Sequence, residues 1–328
     1  MNYPYKTKSS SPIIGVIIVN YNSSSCLLKA LYALSLQVYK PHQIIIIDNA
    51  STEEISDEIY SLNLPIKLIK SPINLGFAAG NNEAVKYLDE SVNWIALLNP
   101  DAYPYKDWLL EMVKAIDKYP EYACLGSKLI CEKEPHLLDG AGDFYHVSGK
   151  AWRNLHRKPL IKATSEVHDI FSPCAAAALY WRDAFIGVQG FDEHYFCYYE
   201  DIDLAFRFWL KGYKAGYIPT AVVEHTGSVT TKRHSDFYTY HGHRNLVWTY
   251  FKNMPIILLI IFLPLHILLN FISIIIFMKR GQTFTILKAK YHAIKGLHRI
   301  LKQRKIIQKS RVASTFQIFK ILNKGLPW

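Results

Sequence analysis

The feature that most constrains this chain is a pair of short β-branched runs, Ile13–Val19 and Gln43–Asp48, flanking a stretch of helical apolar spacing, Leu27–Leu36. Runs this apolar and this short suit strands covered on both faces. Ile66–Lys70 and Trp94–Leu98 continue the series, and the spacing predicts helices over Glu53–Leu62, Asn82–Leu88 and Trp108–Tyr119. Strands alternating with helices imply a parallel sheet with helices on both faces. Ligands of such sheets bind beyond the carboxyl ends of the strands, so chemistry is expected in the residues that follow each run.

After Tyr119 the pattern loosens, and residues 132–170 read as a long excursion over the active face. Order returns at Ala175–Tyr180, in a helix over Asp201–Leu210 closed by Gly212, and in a strand over Tyr217–Val223. Lys6 and Lys8 ahead of Ile13–Val19 mimic a signal peptide. The run is short and ends in Asn20-Tyr21-Asn22 with no small-residue cleavage site, so a buried strand is expected and the protein should stay inside the cell. The five cysteines are odd in number and form no C-x-x-C pair, which argues against a disulfide framework or a zinc cage.

Three strand ends carry polar groups. Asn20-Tyr21-Asn22 lacks the glycines of a dehydrogenase dinucleotide turn. Asp48-Asn49-Ala50-Ser51 offers a carboxylate for a base or ribose, or simply a helix cap. Asn99-Pro100-Asp101 offers a carboxylate for a hard cation against a diphosphate, or a plain turn. The small residues of Asn74–Asn82 could let backbone N–H groups approach a phosphate at a helix start, or form a loop with an asparagine cap. Gly190-Phe191-Asp192-Glu193 and Tyr198-Tyr199-Glu200-Asp201-Ile202-Asp203 follow, with Arg207 one turn on. Capping and an i,i+4 pair explain Glu200 and Asp203, but not three acids after two tyrosines in an apolar setting.

Taken in order, these segments resemble family 2 of the glycosyltransferases, especially its bacterial rhamnosyltransferase-like members. The matching stretches are Val16–Asn22, Ile47–Ser51, Asn74–Asn82, Leu98–Ala102 and Gly190–Arg207. The resemblance implies an α/β GT-A fold with a Rossmann-like, largely parallel sheet, a nucleotide-sugar donor and a divalent metal, Mg²⁺ or Mn²⁺. It places Val19, Tyr21, Asn22, Asp48, Asn49, Asn74, Gly76, Gly80, Asn81 and Asp101 around the donor. Asp101 matches the last acid of the family's D-x-D motif, although Asn99 stands where the first acid would be, and His225 falls where some relatives supply a further metal ligand. Asp201 matches the catalytic base of inverting members, and Asp192 and Glu200 are implied to hold the acceptor. The expected product is a surface polysaccharide, with rhamnose from dTDP-rhamnose preferred over a UDP-sugar. The loss at Asn99 keeps open a non-catalytic adaptor that binds nucleotide or glycan.

The remaining constraint is charge. Residues 1–225 hold 21 Lys/Arg against 26 Asp/Glu, whereas residues 226–328 hold 17 against Asp236 alone. Three regions are therefore expected: a catalytic domain over 1–228, a connecting helical segment over 229–254 and a membrane-associated region over 255–328. Pro255–Phe277 is long enough to cross a bilayer, but a single crossing would put the catalytic part and the basic tail on opposite sides. A break at Pro264, giving a re-entrant or in-plane hairpin, resolves this. Phe284, Leu287, Tyr291, Ile294, Leu297 and Leu301 recur at helical spacing among Lys288, Lys295, Arg299 and Lys302, as in a basic helix on an anionic membrane. The apolar block makes nucleic acid the poorer partner, and the cytoplasmic membrane face the expected location, peripheral or monotopic.

Overall fold

A computed structural model of the chain describes residues 11–227 and 235–325. Lys6, Lys8 and the expected boundary at 228/229 lie outside the described residues. The amino-terminal strands are β1 (Ile14–Asn20), β2 (Gln43–Asn49), β3 (Ile66–Ser71) and β4 (Trp94–Leu98), followed by the short β5 (Ala102–Pro104). β6 (Tyr122–Cys131) comes next, and the excursion after it carries β7 (Leu138–Gly140), β8 (Asp143–Tyr145), β9 (Ala151–Arg153) and β10 (His168–Asp169). The last strands are β11 (Ala177–Trp181) and β12 (Lys214–His225).

The main sheet runs β10-β12-β6-β11-β4-β1-β2-β3, with β5 added on β12 and β7 on β6. β1 pairs in parallel with both β2 and β4, β2 with β3, and β6 with β12, while β11 runs antiparallel between β4 and β6. The carboxyl ends of β1, β2, β4 and β12 therefore share one edge, carrying Asn20, Asn49, Leu98 and His225. β8 and β9 form a separate ribbon.

Helices α1 (Ser24–Ser35), α2 (Glu58–Ser61), α3 (Gly76–Val85), α4 (Trp108–Lys118), α5 (Arg182–Gly187) and α6 (Glu200–Leu210) complete this layer. Two depart from expectation. Only Glu58–Ser61 of the stretch read as Glu53–Leu62 is helical. α3 begins at Gly76, six residues before the expected start, because Gly76 adopts φ +77° and the following amides of Phe77 and Ala78 donate to the Phe196 carbonyl (2.7 and 3.2 Å).

The carboxy-terminal part is α7 (Asp236–Asn253), α8 (Ile256–Lys279), α9 (Thr283–Lys295), α10 (Leu297–Lys309) and α11 (Thr315–Ile321). α8 is one unbroken helix with Pro264 inside it, which corrects the expected break. Tertiary contact outweighs the lost backbone bond: α8 lies alongside α7, with His266 stacked on Tyr250 (3.9 Å) near one end and Phe277 against His243 (4.5 Å) near the other. The chain then returns to the sheet layer. Val312 N–H donates to Leu210 (2.8 Å) and Asn323 N–H to Tyr145 (2.9 Å), and Leu258, Leu259, Ile318 and Leu322 belong to the same core as the sheet.

Charge also joins the two layers. Asp203 on α6 is fully buried, accepting from Arg207 Nε (2.9 Å), Lys252 Nζ (2.9 Å) and Asn253 Nδ2 (2.7 Å). Lys252 also donates to Asp192 (2.8 Å), which Arg299 of α10 reaches as well (3.1 Å). Burial alone would push both carboxyls up, but Lys252, with Arg207 at Asp203 and Arg299 at Asp192, holds them below the ordinary 3.8. Lys252→Met leaves two buried carboxylates short of a cation and should cost about 3–5 kcal/mol, read as a lower urea midpoint. The stabilisation from a depressed carboxyl is present above its ordinary value and lost as pH falls through the folded-state value, so the wild-type midpoint should drop on acidification below about pH 4.

Candidate functional site

On the β1–β2 side, the polar side chains mostly bond to one another and to nearby backbone. Asn49 donates to Asn74 Oδ1 (3.0 Å) and accepts from Leu75 N–H (2.7 Å), while Asn74 Oδ1 also takes the Gly76 N–H (2.8 Å). A Cβ at Gly80 would stand 3.0 Å from Val19, and Asn81 bonds within its own helix to the Phe77 carbonyl (2.8 Å). Asn22 Oδ1 accepts from Thr52 N–H (2.8 Å), and its own N–H donates to Ser51 (3.0 Å). The α3 amides expected to face a phosphate are thus spent on Phe196, which corrects that reading of Asn74–Asn82. Asp48 lies beside Ser51 at the end of β2, and Tyr21 follows β1 half-buried.

The β4–β12 side holds the convergent ionisable groups. His225 Nδ1 donates to Asp139 Oδ2 (2.8 Å), and Nε2 faces Asp101 Oδ1 (3.4 Å). Burial opposes charge on this imidazole, but the Asp101 and Asp139 carboxylates outweigh it and lift its pKa to about 9. Asp139 is also bridged by Arg153 Nη1. Burial opposes its charge too, and Arg153, His156 and His225 nevertheless hold it well below the usual range. Asp139 holds the Nδ1 proton, so on losing its other proton His225 would offer Nε2 beside Asp101 Oδ1, a nitrogen and an oxygen donor suited to a divalent cation.

Arg153 reaches onward. Its Nη2 donates to Cys174 Sγ (2.8 Å) and its Nε stands 3.9 Å from Asp143 Oδ1. Ligand atoms of Asp143, Cys174 and Asp201 all lie within 4.8 Å of one another, the spacing of a metal site, but this guanidinium supplies the positive charge there. Burial pushes Asp143 up to about 7 and raises Asp201, although Arg153 and the Ile202 and Ala175 amides pull Asp201 back. Ile202 N–H fixes Asp201 Oδ1 at 2.8 Å. Asp101, His225, Asp139, Arg153 and Asp201 thus form one chain of neighbours across the sheet edge.

The two residues expected to hold the acceptor differ. Asp192 has its carboxylate taken by Lys252 and Arg299, so it belongs to the seam between the helical and sheet layers, not to a ligand contact. Glu200 is buried with Oε2 unpartnered, and burial raises its pKa well above the usual range, with Asp201 adding to the rise. The approach to α6 is strained: Phe196, Tyr198 and Tyr199 all have positive φ (65°, 67° and 68°), each costing on the order of 1–2 kcal/mol. Sequence reasoning missed Asp139, Asp143, Arg153 and Cys174. They lie in or beside the aperiodic excursion, and only its abundance of polar residues hinted at them.

The sequence profile described as glycosyl transferase family 2 matches residues 15–189. Among curated relatives is an N-acetylglucosaminyl-diphospho-decaprenol L-rhamnosyltransferase of Mycobacterium tuberculosis. It is 26% identical over 243 residues, covering 67% of this chain and 78% of the relative. The O-antigen chain rhamnosyltransferase WbaN of Salmonella anatum is 26% identical over 231 residues, covering 68% and 69%. Among solved structures, GalNAc-T7 with UDP, GalNAc and Mn²⁺ superposes with a TM-score of 0.54 at 16% identity, over 65% of this chain and 43% of that one. The mannosyltransferase PcManGT of Pyrobaculum calidifontis, with GDP-Man and Mn²⁺, gives 0.51 at 16%, over 95% and 86%. These structural likenesses bear on the fold, which is of the GT-A type. With more than half its length matched by the profile, the chain belongs to glycosyltransferase family 2 and is a rhamnosyltransferase-like glycosyltransferase.

Proposed function

We propose that this enzyme transfers a sugar with inversion onto a lipid-linked or otherwise membrane-held glycan, in bacterial surface polysaccharide synthesis at the cytoplasmic membrane face. The observation that carries the reading is Asp201. Its carboxyl, raised by burial, sits at the edge it shares with Asp101 and His225. The preferred donor is dTDP-rhamnose, in keeping with the names of the two rhamnosyltransferase relatives, and a UDP-sugar is the second choice. A lipid-diphosphate acceptor is in keeping with the name of the mycobacterial relative.

Asp201 takes the proton of the acceptor hydroxyl as it attacks the anomeric carbon, and a carboxyl of raised proton affinity is the stronger base. One carboxylate acting directly on the acceptor gives a single displacement. Asp101 and His225 would hold Mg²⁺ or Mn²⁺, and that ion would offset the charge gathering on the departing diphosphate. Asp48 and Tyr21 face the nucleotide, within walls set by Val19, Asn22, Asn49, Asn74, Gly76, Gly80 and Asn81. Glu200, buried against Asp201, adjoins the acceptor.

The membrane reading rests on which faces are left bare. On α8, Ile256, Ile260, Ile267 and Phe271 are exposed, and on α9 so are Phe284 (78%), Tyr291 (62%) and Ile294 (67%). Lys288, Lys295 and Lys302 stand among them, with no acid after Asp236 in the sequence. Because α7 and α9 both pack on the same body as α8, the apolar helix lies along the bilayer surface and need not cross it.

Asp201→Asn should lower transfer by about 10²–10⁴-fold while leaving nucleotide affinity near wild type, measured by turnover and calorimetry. Near-normal turnover would remove Asp201 as the base. In a screen of nucleotide sugars with a membrane extract as acceptor, transfer from dTDP-rhamnose is expected, and inactivity with every dTDP-sugar would remove the rhamnose reading. Wild type should float with anionic vesicles, more weakly as salt rises, and the double variant Ile260→Glu/Phe271→Glu should stay in solution. Vesicle binding unchanged in that variant would displace this face as the membrane contact.

A further inference from the structure

The loop that leads into Asp201 is held from outside the sheet layer. Asn245 on α7 is fully buried, and its amide donates to the carbonyls of Tyr198 (2.7 Å), Tyr195 (3.0 Å) and Cys197 (3.0 Å). Its Oδ1 accepts from Arg244 Nε (2.9 Å), which fixes the amide's orientation. Arg244 Nη2 in turn donates to the carbonyls of His194 and Tyr195 (both 2.9 Å), and its guanidinium lies 4.3 Å over Trp248. Two adjacent side chains of one helix thus take up the carbonyls of the segment that contains the positive-φ residues Phe196 and Tyr198.

Residues held in sparsely populated backbone conformations persist only where their surroundings over-determine them. Nothing in the local sequence favours this course: Phe196, Tyr198 and Tyr199 are bulky, and no glycine or asparagine relieves them. The same segment has two duties. The Phe196 carbonyl receives the first amides of α3 on the nucleotide side, and Tyr199 is the residue from which α6 starts, with Asp203 N–H donating to its carbonyl (2.8 Å). If the loop relaxed, the start of α6 would move, and Asp201 with it.

We infer that Arg244 and Asn245 are positioning residues for catalysis, a clamp by which α7 holds the strained 194–199 loop so that Asp201 meets the acceptor. This rests on Asp201 as the base. It makes α7 part of the catalytic machinery and not only a link to the membrane-facing helices.

Cys197 provides a readout independent of turnover. The residue is partly buried, its carbonyl is one of those that Asn245 holds, and burial raises its thiol well above the usual range, whereas Cys124 is fully buried in the sheet. Asn245→Ala should raise iodoacetamide labelling of Cys197, mapped by mass spectrometry, by about tenfold or more while Cys124 stays protected, as expected of local and not global opening. In the same variant kcat should fall by about 10–10²-fold with donor KM nearly unchanged, the pattern of a displaced reacting group. Asn245→Ser, which keeps one donor, should recover part of both effects, and it serves as the test variant if the alanine variant does not fold. Cys197 as protected as in wild type, or Cys197 exposed with kcat intact, would overturn the inference. A wild type inactive with every donor and acceptor would instead overturn the transferase reading, and the clamp would then be decided by Cys197 labelling alone.

Discussion

The structure depends on offsetting buried negative charge at one edge of the sheet. Asp139, Asp143, Asp192, Glu200 and Asp203 are all buried there or just behind it, with Asp201 half-buried among them. Isolated carboxylates in such a place either recruit cations or give up their charge. Both outcomes are seen. Asp139, Asp192 and Asp203 stay ionised beside Arg153, Lys252, Arg207 and Arg299, whereas Asp143 and Glu200 are pushed toward the neutral form. The cations come from distant stretches of chain, so the excursion, α7 and α10 must all be in place before this edge is electrostatically tolerable.

This dependence explains why the helical part does not behave as an appendage. Lys252 and Asn253 complete the surroundings of Asp203, Asn245 and Arg244 secure the approach to α6, and the core runs without interruption from the sheet into α8 and α11. The acidic first part and the basic last part noted in the sequence are two sides of one interface as well as a contrast in surface character.

What the sequence made legible is what repeats. β1, β2, β4, α4 and α6 fall within a residue or two of their expected bounds, because each is written as a local period. The resemblance singles out Asp101, His225 and Asp201, and their places are legible too: just past β4, at the end of β12 and in the first turn of α6. Single residues whose meaning lies in remote partners were not legible. Asp192 looked like an acceptor contact because its cations lie 60 and 107 positions away. Arg153 and Asp139 looked like loop residues because nothing nearby in sequence pairs them with His225, 86 positions beyond Asp139. Pro264 was misjudged for the converse reason: a strong local signal for a break yielded to packing along α7.

α9 keeps one large apolar side chain, Ile286, on its buried face and otherwise packs inward through small residues. Ala289 and Ala293 are on its inner face, and Gly296 just beyond it lies under Trp248, where a Cβ would come within 2.6 Å of the indole. The alanines bring α9 close to α7, while Phe284, Tyr291 and Ile294 stay on the outer face. Left in water, that face holds Phe284, Tyr291 and Ile294 open to solvent, so any apolar surface laid on it would gain roughly 25 cal/mol for each Å² withdrawn from water.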